Sequence, residues 1–364
     1  MKARIAGMLL AVVASSLIGC KKEDPVDTEP SNKVEVPSTY SFSNVSFSGQ
    51  TERLDQLDEL VEYLESANTA GVTLDAQKLN DMFANTNGDG GGNFSFSSTK
   101  DLKSKCFELA VSDFEVLFAE AETASQSTQA ASNGTAGVMY NADSTRSRLF
   151  SASGMEYAEL VEKGIMGAVF YYQATTIYMG DSKMDVDNTS VTEGEGTAMQ
   201  HHWDEAYGYF GATVDFPTDQ ENVRYWAKYS VSRDAALNSV ESIGHALRKG
   251  RAAINKGNYV VRDSAITETR AAWEQLCAGL AIHYLNSAIT NIGDDFNRNH
   301  ALSEGWAFVN NLLYNEGRTI STTEIDAVKA KIGDNFYEVT ESDLTAARDQ
   351  LASIFGLEAI KTIL

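Results

Sequence analysis

The chain has 364 residues, with 29 lysines and arginines against 51 aspartates and glutamates, for a formal charge of -22. A surface that acidic excludes nucleic acid and anionic membrane as partners held by charge, and it favours a cation, a metal ion or a basic protein. Three cysteines are too few for a zinc or iron–sulfur centre built from cysteine alone.

The first element in chain order is a leader. Lys2 and Arg4 precede a short apolar run that ends in Leu17-Ile18-Gly19-Cys20. A basic start, a brief apolar stretch and small residues before a cysteine make residues 1–19 a lipoprotein signal peptide, with Cys20 the lipidated first residue of the mature protein. The run is shorter than a membrane span. Residues 20–38 carry Pro25, Pro30 and Pro37 among charged and hydroxyl residues, a composition that buries little and predicts a flexible tether. Lys21-Lys22-Glu23-Asp24 resembles the export signal of Bacteroidetes-type lipoproteins at the outer face of the outer membrane. The expected location is the outer membrane, on the cell surface or the periplasmic face.

Residues 39–364 hold a single proline, Pro217, which argues against a loop-rich β fold. Apolar residues recur at helical spacing in Leu54, Leu57, Leu60, Leu64, in Val240, Ile243, Leu247 and in Trp273, Cys277, Leu280, Tyr284. The spacing predicts helices near 52–67, 75–85, 99–125, 154–178, 196–210, 221–229, 233–255, 263–291, 299–314, 322–332 and 341–355. We therefore expect one all-α domain, a helical bundle. Cys106 and Cys277 fall on two of these helices, either bridged or as two buried thiols.

The segment richest in chemistry is Met199-Gln200-His201-His202-Trp203-Asp204-Glu205-Ala206-Tyr207-Gly208-Tyr209-Phe210-Gly211. On a helix, Met199, Trp203, Ala206, Tyr207 and Phe210 form the packing stripe, and His202, Glu205 and Tyr209 share its flank. An imidazole and a carboxylate three residues apart can give two ligands to one metal ion. The alternative is an ordinary helix ion pair. His201 and Asp204 are candidate assistants, with Trp203 and Tyr209 lining. Upstream, Glu156, Glu159 and Glu162 precede Gly164 and Gly167, where a neighbouring helix can approach closely; one of the glutamates facing His202 would complete a site. Asp181, Asp185, Asp187, Glu193 and Glu195 fill the connection into the histidine helix.

The runs HHWDEAYGYFG, TYSFSNVSFSGQTERLDQLDELVEYL and ELVEKGIMGAVFYYQA resemble a family of bacterial lipoproteins classed only as domain of unknown function 4856. That resemblance spans the mature domain and implies an architecture without an activity. The His202-x-x-Glu205 element is also similar to that of imelysin-like proteins, helical exported proteins linked to iron acquisition, although Gln200 stands where those proteins have glycine. This second resemblance implies an imelysin-like bundle and a role in iron or metal acquisition beside an outer-membrane transporter.

Peptidase chemistry is not encoded. A zinc protease needs His-Glu-x-x-His or His-x-x-Glu-His, and Ala206 follows Glu205; no Gly-x-Ser-x-Gly elbow occurs. Asn85, Asn87, Asp89 and Asn93 start a calcium-loop pattern, but Phe96 stands where the closing acid belongs, which leaves iron or zinc ahead of calcium. His300 and Glu304 lie opposite the Leu302, Trp306, Val309, Leu313 stripe and read as a solvated face, and His283 reads as a packing histidine. The expected function is a non-enzymatic lipoprotein that binds a metal ion or small metal complex at His202 and Glu205. Two alternatives stand beside it, a metal-free protein- or glycan-interaction module and a metal-dependent hydrolase.

Overall fold

A computed structural model describes residues 33–364, so the leader, Cys20 and most of the tether lie outside the described residues. Val34–Leu364 forms one compact unit. None of its helices is long and apolar enough to cross a membrane.

Helix α1 (Ser48–Ser66) buries Leu54, Leu57, Leu60 and Leu64, the stripe expected from its spacing. After α2 (Ala76–Ala84), started by the Asp75 carboxylate, the chain makes a Gly-rich turn. The helix expected over 99–125 begins only at Val111, because Cys106 is extended and single 3-10 turns occupy 103–105 and 108–110; α3 is Val111–Ser125. A two-stranded antiparallel hairpin follows, β1 (Gly137–Tyr140) with β2 (Ser147–Phe150), in register Gly137 to Phe150. Four-residue strands are too short to show an alternation in sequence.

Helix α4 (Tyr157–Ile165) continues into two π-helical stretches, Met166–Tyr171 and Gln173–Tyr178. At the junction the carbonyl of Lys163 accepts 2.8 Å from Asn311 Nδ2, and a Cβ on Gly167 would stand 1.8 Å from Asn311 Oδ1. Gly167 is thus the close approach that the sequence suggested. A short helix α5 (Asp181–Met184) leads to α6 (Ala198–Phe210), which opens on a reciprocal cap between Thr197 and Gln200. Then α7 (Tyr225–Leu237) and α8 (Ser239–Lys256) are parted by Asn238 in a left-handed conformation, so the break falls later than the spacing predicted.

The longest element is α9 (Tyr259–Thr290), against which α7, α8, α10 (Asp295–Asn311) and α12 (Glu341–Phe355) all pack; α11 (Thr322–Ile332) sits between α10 and α12. Trp203, Trp226, Trp273 and Phe308 are fully buried at the centre. The all-α bundle is as expected, with the hairpin as its one small sheet among the described residues. Cys106 and Cys277 are free and buried, and burial pushes both thiols up, so they are inert packing groups and not a bridge.

Candidate functional site

The histidine motif of α6 is turned mostly to structural work. Trp203 is completely buried, its indole N–H donating 2.9 Å to Leu247 O, and α8 leaves room for the ring at Gly250. Asp204 is buried as well and pairs with Arg251 at 2.8 Å while accepting from the Tyr40 hydroxyl at 2.7 Å. That carboxylate has its counter-ion and is closed to a metal, which corrects its expected role. Tyr40 also stacks on Tyr207 with centroids 3.5 Å apart, and Arg251 and Arg248 donate to the carbonyls of Ser43 and Pro37. Part of the motif therefore clasps the segment that enters the domain.

His202 and Glu205 do share a flank of α6, but each has other partners. His202 Nδ1 lies 2.9 Å from Lys183 O, and the Lys183 ammonium is 3.4 Å from Nε2, on the side where a metal would have to sit. Burial lowers the His202 pKa, against the hydrogen bond to Lys183. Glu205 accepts from Gln50 and from the Tyr178 hydroxyl, at 3.1 and 3.0 Å, and His201 Nε2 is 3.9 Å away. Tyr209 is fully buried beside Phe170 and Tyr178 and is a core residue, not a lining one. Asp187 binds the amides and hydroxyl of Thr189 and Ser190, which turns its acidic loop back on itself. The asparagines of the glycine-rich turn do the same, with Asn85 bonded to Ser98 O, Lys100 O and Gly90 N.

Glu156 and Glu159 face not His202 but His300. Glu156 sits at the entry of α4, its amide donating 2.8 Å to Ser303 Oγ of α10, which swings the carboxylate onto His300 Nδ1 at 2.8 Å. Glu159 Oε1, one turn along α4, is 3.6 Å from the same nitrogen, and Glu304 Oε2 is 3.5 Å from Nε2. Glu156, Glu159 and His300 each offer a ligand atom within 4.8 Å of the others. Two cations attend the carboxylates, with Lys163 Nζ 3.0 Å from Glu159 and 3.6 Å from Glu304, and Arg148 Nε 3.3 Å from Glu156. The solvated face expected for His300 and Glu304 is instead the α10 side packed on α4. Helix α10 is enclosed nearly all round, so a polar face there meets protein where a peripheral helix would meet water.

Glu159, Lys163, His300 and Glu304 line a cleft of about 690 Å³, walled further by Tyr225, Tyr229 and Tyr284. A family model described as Domain of unknown function (DUF4856) matches residues 37–358. The chain belongs to this DUF4856 family. No curated protein and no solved structure matches it.

Electrostatics in the cleft of the DUF4856 domain follow from burial and crowding. Desolvation, then the charge of Glu159, raises Glu304 to about 7. Burial likewise raises Glu156. It would raise Glu159 too, but Lys163, His300 and Arg148 outweigh it and hold that carboxyl below its ordinary value. Burial opposes a proton on His300 and on Lys163, yet the surrounding glutamates prevail and raise both. The result is two carboxyls on one cleft with opposite shifts around an imidazole whose pKa is raised. Such a group can hold a cation that replaces the imidazole proton, or move a proton. The remaining histidines stay outside it, with His283 receiving Arg233 at 2.9 Å as a packing histidine and His245 3.4 Å from Glu241 on the surface.

Proposed function

We propose that this chain is an outer-membrane-anchored lipoprotein whose cleft captures a metal ion or small metal complex, with Glu156, Glu159 and His300 as ligands and Glu304 assisting. The observation that carries this reading is the convergence of two carboxylates and an imidazole from α4 and α10 within 4.8 Å, beside an open cleft. One nitrogen and two oxygens suit zinc or iron better than calcium, which takes oxygen ligands only. The anchor rests on the sequence around Cys20. The link to iron acquisition and to a partner transporter rests on the imelysin resemblance of His202 and Glu205.

A specific observation favours the metal-free interaction module as second reading. Lys163 and Arg148 already neutralise the carboxylates that a metal would use. Elemental analysis of mature protein purified from its native host distinguishes the two. Zinc or iron near one per chain is expected in wild type and in a His202→Ala, Glu205→Ala double variant, and is expected to vanish in Glu159→Gln, His300→Ala. Metal-free wild type that also takes up no zinc in titration would overturn the proposal in favour of the interaction module.

A further inference from the structure

A second cavity, of about 360 Å³, lies on the other side of the α4–α10 pair, closed by α3 and by Lys329 of α11. Its walls are apolar, with Phe114 and Leu117 from α3, Leu160 from α4 and Trp306 from α10. That size is within the usual range of small-molecule pockets, and the wall is mainly hydrophobic with a few polar groups, as such pockets are. Gly164 contributes no side chain to it, and a Cβ there would meet the Phe114 ring at 2.9 Å.

The polar groups indicate what chemistry would occupy it. Lys329 is half-buried, its ammonium 4.5 Å above the Trp306 ring, and it donates to Asn310 Oδ1 at 3.1 Å. Among the described residues its hydrogen bond thus goes to a neutral amide and not to a carboxylate. An ammonium has three donors, and one is used. Asp326, Asp334 and Asp113 act on this ammonium through space, but among the described residues none forms an ion pair with it, and an incoming carboxylate would add a charge-assisted hydrogen bond at its unused donors. Asp113 also lines the cavity and is the one acidic side chain there, opposing an anion.

We propose that this cavity binds a small carboxylic acid with an apolar body, its carboxylate on Lys329 and its body against Trp306, Phe114 and Leu160. The site is separate from the cleft and independent of any metal. Octanoate, with 1-octanol as its uncharged counterpart, is the probe, titrated calorimetrically into the mature protein. Wild type is expected to bind octanoate saturably and more tightly than octanol. Lys329→Met should cut octanoate affinity about ten- to hundredfold and leave octanol unchanged, since one charge-assisted bond is lost. Lys329→Arg should retain the preference, and Asp113→Asn should strengthen octanoate binding severalfold. Equal binding of the two probes, no binding of either, or an octanoate affinity untouched in Lys329→Met would each overturn the proposal.

Discussion

At the scale of single residues, the tightest constraint is the seat of Trp203. An added Cβ on Gly250 would stand 2.0 Å from the indole Cζ2 of the fully buried Trp203. Alanine gains up to about 1 kcal/mol over glycine in a helix interior, while overpacking a filled core costs about 1–3 kcal/mol, so the clash prevails. Gly250→Ala should therefore lower stability by about 1–2 kcal/mol net in urea unfolding, and Trp203→Phe combined with it should cost less than the sum of the two single changes. Additive losses would mean that the ring does not press on α8. Trp203 was legible in sequence as a stripe residue, but not as the partner of a glycine forty-seven positions away, because no local spacing encodes a contact between helices.

At the scale of elements, α6 shows why a motif rich in ligating side chains need not be a site. The pattern correctly placed His202, Glu205 and Tyr209 on one flank, since side-chain direction on a helix is fixed by spacing. It left undetermined what covers that flank. Lys183, Tyr178 and Gln50 do so, and each arrives from another element. The reverse error occurred on α10, where His300 and Glu304 read as solvated because they lie opposite the apolar stripe of Leu302, Trp306, Val309 and Leu313. The signal available in sequence was the pairing of Glu156-x-x-Glu159 with His300-x-x-x-Glu304, two polar faces on otherwise apolar helices. The clasp itself is testable. Tyr40→Phe removes one hydrogen bond to a buried carboxylate, worth about 1.5–3 kcal/mol, whereas Asp204→Ala strands Arg251 and should cost about 3–5 kcal/mol. In both variants, limited proteolysis near residues 37–47 should accelerate; cleavage rates equal to wild type would show that Tyr40 does not hold the segment.

At the scale of the whole molecule, the cleft cluster joins the hairpin through Arg148, α4 through Glu156, Glu159 and Lys163, α7 through Tyr229, and α10 through His300 and Glu304. Protonation of one member therefore acts on the global fold. Glu304 titrates at about 7 in the folded chain against an ordinary glutamate value of 4.5, chiefly through burial and then through the charge of Glu159. Between those values the folded chain holds a proton that the unfolded chain has released. The stability contributed by this proton is fully present below the unfolded value and is lost as pH rises through the folded one. Glu304→Gln keeps a neutral group at the position and cannot lose it. In metal-free buffer with chelator, wild type should thus fall by about 1–3 kcal/mol relative to the variant between about pH 5 and about pH 8. His300 contributes with the same sign, its stabilising proton also lost as pH rises, and because the Glu304 charge helps to raise it, the difference between the two proteins reports Glu304 together with its coupling to His300. A difference that stays flat across that range, in urea unfolding at each pH, would mean that Glu304 is already ionised at the lower end and that Lys163, 3.6 Å away, governs it more strongly than burial does.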